Sequence, residues 1–327
     1  MQETRSVLLS GDLQPRRVQV KTGARLHFGL LDSVEPFGGL GVMVQSPGTE
    51  VTATTSDAFS CSRQYLQRFR EIAGRVADFA KCRELPAIRL EVDSDAEPHC
   101  GLGSGTQLSL AAAEAMLKFL GVDCSPPHLA LVIAGRGKRS AVGIHGYFRG
   151  GMIFETSSDE SSDLNSVRNR IELPSSWCVA VLKPSLKVGP VFGLSEVEKF
   201  SRLSAAPEKL RESLYRLAAQ TVLPAAQAGD FIEFSDSLQR YNRLSGELFA
   251  SIQGGPYNGP EVTSLISWLI ARGVAGVGQS SWGPGVFAWF ESTQHAETIV
   301  KRLPEGVRVI TLTHALAHPR SLTSQES

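Results

Sequence analysis

Residues 98–113 read PHCGLGSGTQLSLAAA, and the fold turns on what this stretch does. Gly101, Gly103 and Gly105 free the backbone, and the TQLSLAAAEAMLKFLG that follows is rich in helix formers and closes on a glycine. The pattern predicts a glycine loop opening a helix. The first N–H groups of a helix lack intrahelical partners and carry partial positive charge, so such a loop can offer its backbone, with the hydroxyls of Ser104 and Thr106, to a phosphate. No Gly-Lys-Ser/Thr follows, which excludes a P-loop, and the spacing and downstream acid of a dinucleotide fingerprint are missing. Taken alone, the stretch is equally a tight strand-to-helix turn.

Outward from the loop, the pattern is α+β. Upstream, RVQVKTGARLHFGLLD alternates and then turns apolar as a strand entering a core does, and LGVMVQSPGTEVTATT continues in strand style with Pro and Gly marking turns. Leu66, Phe69, Ile72, Val76 and Phe79 recur at helical spacing within residues 59–79, and AIRLEVD alternates again. Downstream, PPHLALVIAGRG predicts a short helix after a proline pair, WCVAVLKPS a buried strand, and residues 207–252 two helical stretches. EVTSLISWLIARG predicts another helix, and GVAGVGQSSWGPGVFAWF, HAETIVKRL and VRVITLT predict strand, glycine turn, strand, helix and strand. The Ser/Asp-rich residues 157–166 mark a solvated loop near a boundary between an N-terminal domain, 1–170, and a C-terminal domain, 171–327.

Composition narrows the function. Lys plus Arg and Asp plus Glu are 33 each among 327 residues, so there is no global positive field for nucleic acid, and any anion site must be built locally. Cys61, Cys82, Cys100, Cys124 and Cys178 are odd in number and irregularly spaced, which argues for free thiols and a reducing compartment. The N-terminal residues lack a signal-peptide core and no apolar run nears the roughly 20 residues a bilayer span needs, so a cytoplasmic protein without membrane contact is expected. His99, His128, His295, His314 and His318 show no metal-ligand spacing.

Local anion chemistry is concentrated in two places. Arg136, Lys138, Arg139, His145 and Arg149 crowd one short segment between glycines, and arginine matches carboxylate or phosphate oxygens in bidentate fashion. The plain alternative is a solvated basic loop. Alternation in the first strand sets Arg25 and His27 on one face and Ala24, Leu26 and Phe28 on the other, so the polar face meets either a site or solvent. In GQSSWGPG, Gln279, Ser280 and Ser281 offer neutral hydrogen bonds, and Trp282 either stacks on a ligand ring or fills the core.

PHCGLGSGTQLSLAAAEAM resembles the second motif of the GHMP kinase superfamily, with GARLHFGLLD and GVGQSSWGPGVFAWF at the places of its first and third. The resemblance implies a two-domain fold, an N-terminal α/β domain plus a C-terminal ferredoxin-like domain of helices on an antiparallel sheet, with the site in the cleft between them. GARLHFGLLD, Gly105-Thr106-Gln107, GRGKRSAVGIHGYFRGGMIFE and GQSSWGP are further similar to the β-ribofuranosylaminobenzene 5′-phosphate synthase family. That similarity implies a decarboxylating phosphoribosyltransferase of methanopterin-type cofactor biosynthesis, which joins phosphoribosyl pyrophosphate to 4-aminobenzoate or 4-hydroxybenzoate and releases pyrophosphate and CO2. Superfamily kinases carry Ser-Gly-Val-Asp where this chain has Ser140-Ala141-Val142-Gly143, so the kinase base is missing at Gly143. An ATP-dependent small-molecule kinase and a non-catalytic ligand-binding protein stay open as alternatives.

The resemblance assigns Arg25, His27, Arg139 and His145 to catalysis. Gly101, Gly103, Ser104, Gly105, Thr106 and Lys138 are assigned to phosphate, and Arg136, Gln279, Ser280, Ser281 and Trp282 to substrate. It also implies Mg²⁺ for the pyrophosphate, with ligands unassigned and Asp32 the one carboxylate suggested. Small-molecule substrates are the expected partners, and a homodimer is left open.

Overall fold

Strand β1, Arg16–Leu30, changes core partway along its length in the computed structural model, which describes residues 16–35, 37–137, 139–157, 164–186 and 203–326. It runs antiparallel to β2, Gly39–Thr55, with a register shift between Thr22 and Ala24. Before the shift, Val18 and Val20 pack beneath helices α1, Leu66–Ala80, and α2, Ser104–Phe119. Beyond it, Ala24, Leu26 and Phe28 join a second core shared with the C-terminal half. Side chains of a strand alternate between faces, so one inserted residue exchanges them. Gly23 is that residue, and only glycine fits, because a Cβ there would lie 2.1 Å from the Val44 carbonyl oxygen. Across the shift, β2 does not turn at Pro47 and Gly48 as the sequence suggests; it bulges, with Thr49 opposite Thr22 and Val44 opposite Ala24.

The first sheet has the order β11 (Ser321–Glu326), β1, β2, β4 (Ile88–Ser94), β3 (Ser60–Cys61), and β5 (Met152–Thr156) pairs the first half of β2 with β6 (Ser166–Ile171) beyond it. Strand β3 shortens the expected helix at its start, so α1 begins at Leu66. Pro126–His128 and a π-turn at Leu129–Ile133 stand where a second short helix is expected. The basic segment is partly helical: Val142–Arg149 forms α3, and Gly146 lets it approach the sheet, since a Cβ there would lie 2.4 Å from Met43 Cγ.

The second sheet is antiparallel in the order β10 (Val307–His314), β7 (Cys178–Pro184), β9 (Val286–Phe290), β8 (Val277–Gln279), the ferredoxin-like order of fourth, first, third and second strand. On its outer face lie α7, Pro260–Ile270, and α8, Thr293–Val300, over a core that holds Val262, Leu265, Ile266 and Ile299. On its inner side α4, Glu208–Leu217, passes through a π-turn into α5, Leu223–Ala228, followed by α6, Phe231–Glu247. Phe234, Leu238 and Tyr241 of α6 fill the core that joins the two sheets, with Trp177, Phe287 and Trp289. The fold is α+β, as expected.

Candidate active site

A cavity of about 340 Å³ opens between the two sheets, and its walls come from segments far apart in the chain. Arg25 and His27 enter it from β1, Thr106 from α2, Arg136, Arg139 and Ser140 from the glycine-basic segment, and Gln279, Ser281 and Trp282 from the turn after β8. The polar face of β1 at Arg25 and His27 therefore borders this cavity. His27 is 4% exposed.

The glycine loop is built around these side chains. Gly103, at φ 67°, is the N-cap of α2, and a Cβ there would lie 3.3 Å from Arg25 Cβ. The Arg25 N–H donates to the Leu102 carbonyl at 2.9 Å, locking loop to strand. On the other side, Arg136 donates from Nη2 to the Gly105 carbonyl at 2.9 Å. Gly101, at φ 79°, packs against the Ser280 backbone, whose carbonyl oxygen a Cβ would approach to 2.1 Å. Ser280 is fully buried, and its hydroxyl donates to the Gly101 carbonyl at 2.6 Å and accepts from the His27 N–H at 3.0 Å. Ser280 pins three site segments together and does not face the cavity. Ser104 is likewise buried, outside the cavity wall, and Thr106 is the residue of this loop that lines it.

The electrostatics are set by arginine. Burial holds the His27 imidazole well below its ordinary pKa, and the charges of Arg25 and then Arg139 push it further down, so the ring is neutral at physiological pH. Arg136 is also driven downward, first by burial and then by Arg68 and Arg75. Those two arginines of α1 stand near the loop, with Arg68 Nη1 3.9 Å from a Cβ built on Gly105 and Arg75 Nη1 2.7 Å from one built on Gly135. Their seven-residue spacing puts them on one face of α1, a signal available in the sequence.

The remaining expected residues fall elsewhere. His145 lies outside the cavity wall, its Nε2 2.6 Å from the Asn165 carbonyl oxygen. Arg149 is exposed at the end of α3. Lys138 lies outside the described residues. Asp32 is committed to structure: it accepts from the N–H groups of Ser33 and Ala206 and from Arg211, and it borders a separate hollow. Among the described residues no three His, Cys, Asp or Glu side chains gather to hold a metal, and the cavity wall contains no carboxylate.

Helix α6 supplies what the sequence reading lacked. Tyr241 donates to the Gly29 carbonyl at 3.0 Å, and Ser245 donates to that of Leu30 at 2.8 Å. Asn242 Nδ2 donates to the carbonyls of Phe28 at 2.6 Å and Gln279 at 2.9 Å, while its Oδ1 accepts from the Gln279 N–H. Asn242, Ser245 and Phe249 line the cavity, and the Phe249 ring meets Trp282 edge-on at 5.2 Å. Trp282 is both packed and cavity-facing.

Beneath the cavity lies Glu155 of β5, fully buried. Both of its oxygens accept from the Ala141 N–H at 3.0 Å, and Oε1 accepts from Asn165 at 3.2 Å. Burial raises its carboxyl to about 7, against the opposing pull of Ser140, Asn165, the Ala141 N–H and Arg25. Nothing in the run MIFETSS signals a buried acid.

The chain matches the family models for the GHMP kinases N-terminal domain over residues 65–152 and GHMP kinases C terminal over residues 222–308. It is 28% identical to a β-ribofuranosylphenol 5′-phosphate synthase of Methanothermobacter thermautotrophicus, over 82% of this chain and 87% of that protein. Against the protein of the same description from Archaeoglobus fulgidus the identity is 29%, over 84% and 88%. Among solved structures it is similar to homoserine kinase from Cytophaga hutchinsonii, with a TM-score of 0.64 at 15% identity over 97% of this chain and 100% of that one. Mevalonate diphosphate decarboxylase from Enterococcus faecalis gives a TM-score of 0.64 at 14% identity, over 95% and 99%.

Proposed function

Because the chain belongs to the GHMP kinase superfamily, with both of its domains present, we propose that it works as a pentosyltransferase of the β-ribofuranosylphenol 5′-phosphate synthase type. The reaction in this reading joins phosphoribosyl pyrophosphate to a para-substituted benzoate and releases pyrophosphate and CO2. One observation carries it. By the resemblance Gly143 stands at the place of the superfamily kinases' aspartate, and a Cβ there would lie 3.4 Å from Gln107 Nε2 and 3.6 Å from Arg25 Nε, so an amide and a cation border the position that a kinase gives to its base.

The roles follow from charge and shape. Arg25 and Arg139 suit a carboxylate and a phosphate that must lose their water on entry, and hydrogen bonds between ionised partners are the stronger kind. Arg136, braced on Gly105 at the N-terminal end of α2 and within the field of Arg68 and Arg75, suits the negative charge that a leaving pyrophosphate gathers. Phe28, Leu30, Phe249 and Trp282 give an apolar wall for a benzene ring. As pyrophosphate leaves, the anomeric carbon becomes electron-poor and the ring carbon bearing the carboxylate attacks it. Loss of CO2 then restores aromaticity. Among the described residues no three His, Cys, Asp or Glu side chains gather to hold a metal, so Mg²⁺ would serve in this reading to neutralise pyrophosphate charge, and no step depends on it.

The test uses purified protein, carboxyl-labelled 4-hydroxybenzoate or 4-aminobenzoate, phosphoribosyl pyrophosphate and Mg²⁺. The relatives' description points to the hydroxy compound as the first to offer. Labelled CO2 dependent on phosphoribosyl pyrophosphate is the expected result. Its absence, together with ADP formation from ATP and an alcohol acceptor, would return the protein to the kinases.

A further inference from the structure

His27, Ser140 and Glu155 form a row that leads from the cavity into the core. His27 Nε2 is 3.0 Å from Ser140 Oγ, and the Ser140 hydroxyl in turn interacts with the Glu155 carboxylate. The row crosses three adjacent strands: His27 pairs with Gly41 of β2, and Gly39 of β2 pairs with Glu155 of β5. Glycine at 39 makes the crossing possible, since a Cβ there would lie 3.2 Å from His27 Nε2.

We propose that this row is a proton relay in which Glu155, acting through Ser140 and His27, takes up and returns the proton of the aromatic substrate's para group. The inference rests on the pentosyltransferase reading and gives that site its base. With the Nε2–H directed to Ser140, the imidazole lone pair is on Nδ1. When the para O–H proton moves to that nitrogen, the Nε2 proton passes to Ser140 Oγ and the Ser140 proton to Glu155. The freed oxygen pair pushes into the ring, the ring carbon bearing the carboxylate bonds to the anomeric carbon, and the C–O bond to pyrophosphate breaks with its electrons. Cleavage of the C–CO2 bond then returns a pair to the ring, and the proton comes back along the row to the phenol oxygen. Charge and protons balance without a further reactant.

The surroundings favour Glu155 as the place where the proton rests. Arg25 and Arg139 face His27 and disfavour its cation. Glu155 is faced by Arg25 of β1, by His145 of α3 at 3.9 Å, by Asn165 and by Tyr241 of α6, within a burial that favours its neutral form. Glu155 does not reach the cavity, so it is a positioning residue and not a catalytic one.

The experiment measures kcat and KM across pH for wild type, Glu155→Gln and Ser140→Ala, with 4-hydroxybenzoate and with 3,5-difluoro-4-hydroxybenzoate, whose more acidic phenol needs less help to ionise. Wild-type kcat should fall as pH drops through about 7. General-base assistance contributes on the order of a hundredfold or more, so both variants should lose about that factor in kcat with the first substrate while KM for phosphoribosyl pyrophosphate stays close to wild type. The acid limb should flatten, and the deficit should shrink with the fluorinated substrate. Wild-type kcat and acid limb in both variants, or an equal loss with both substrates, would overturn the relay. Should Glu155→Gln fail to fold, Ser140→Ala decides, because Ala141 and Asn165 still hold the carboxylate. If wild type releases no CO2 from either substrate, the pentosyltransferase reading falls and takes the relay with it.

Discussion

Arg25 and His27 are two residues apart on one strand and both border the cavity, yet one is a cation and the other neutral, because a guanidinium holds its proton far above neutral pH and a buried imidazole beside two arginines does not. Arg25→Ala and Arg139→Ala should therefore keep the fold and lose anion binding. A hydrogen bond to a desolvated charged group contributes about 1.5–3 kcal/mol, or roughly ten- to a hundredfold in kcat/KM for CO2 release. Full activity in both variants would place these side chains outside the chemistry. Glu155 allows a test that needs no substrate. Its folded carboxyl titrates near 7 against an ordinary 4.5, so the folded state holds the proton more tightly than the unfolded chain does. The stability it contributes is complete below the unfolded value and is lost as pH rises through the folded one, by on the order of 3 kcal/mol. Urea midpoints taken at about pH 5 and about pH 8 should show wild type losing stability between them and Glu155→Gln losing less; parallel curves would refute the shift. Arg25 and His27 were legible because strand alternation isolates them from Ala24, Leu26 and Phe28. Glu155 was not, because its burial depends on β5 docking beside the glycines of β2, a tertiary fact with no local mark.

At the scale of elements, the site is a strand clasped by a loop and a helix. The α2 loop was legible because glycine before a run of helix formers has few structural meanings. Helix α3 was not, because Gly143, Gly146 and its basic neighbours read as loop; those glycines serve close packing against Arg25, Gln107 and Met43. Helix α6 was recognisable as a helix but not as a clasp, since the role of Asn242 depends on which carbonyls the sheets present to it. Asn242→Ala removes three buried hydrogen bonds and leaves the Phe28 and Gln279 backbone groups unsatisfied. At about 1 kcal/mol per bond, the loss should be about 3 kcal/mol, with a fall in kcat/KM as β1 and the turn after β8 separate. A urea midpoint within error of wild type would show that the clasp contributes little.

Across the whole molecule, the two sheets share one core rather than touching across a polar seam. Ala24, Leu26, Phe28, Leu40 and Val42 of the first sheet belong to the same apolar cluster as Val179, Val181, Phe287 and Trp289 of the second. The chain crosses back as well: β11 pairs with Arg16–Lys21 of β1, and Arg320 grips Glu114 of α2 through two of its nitrogens, at 2.8 and 2.5 Å. Covering the first sheet with the second buries the face that the shift at Gly23 redirects, and that face ends in the cavity. An isolated fragment of residues 1–170 would expose this apolar face and lack β11, and burial of such surface is the main term holding a domain together. The fragment should be insoluble or partly folded, and the intact chain should unfold in one calorimetric transition with van't Hoff and calorimetric enthalpies in agreement. Two resolved transitions, or a fragment 1–170 that folds cooperatively by itself, would mean that the halves are stable units and that the cavity can open by their separation. A single transition would mean that the walls of the cavity are fixed relative to one another by the core beneath them, so that Arg25 from β1 and Ser281 from the turn after β8 meet a ligand in positions set before it arrives.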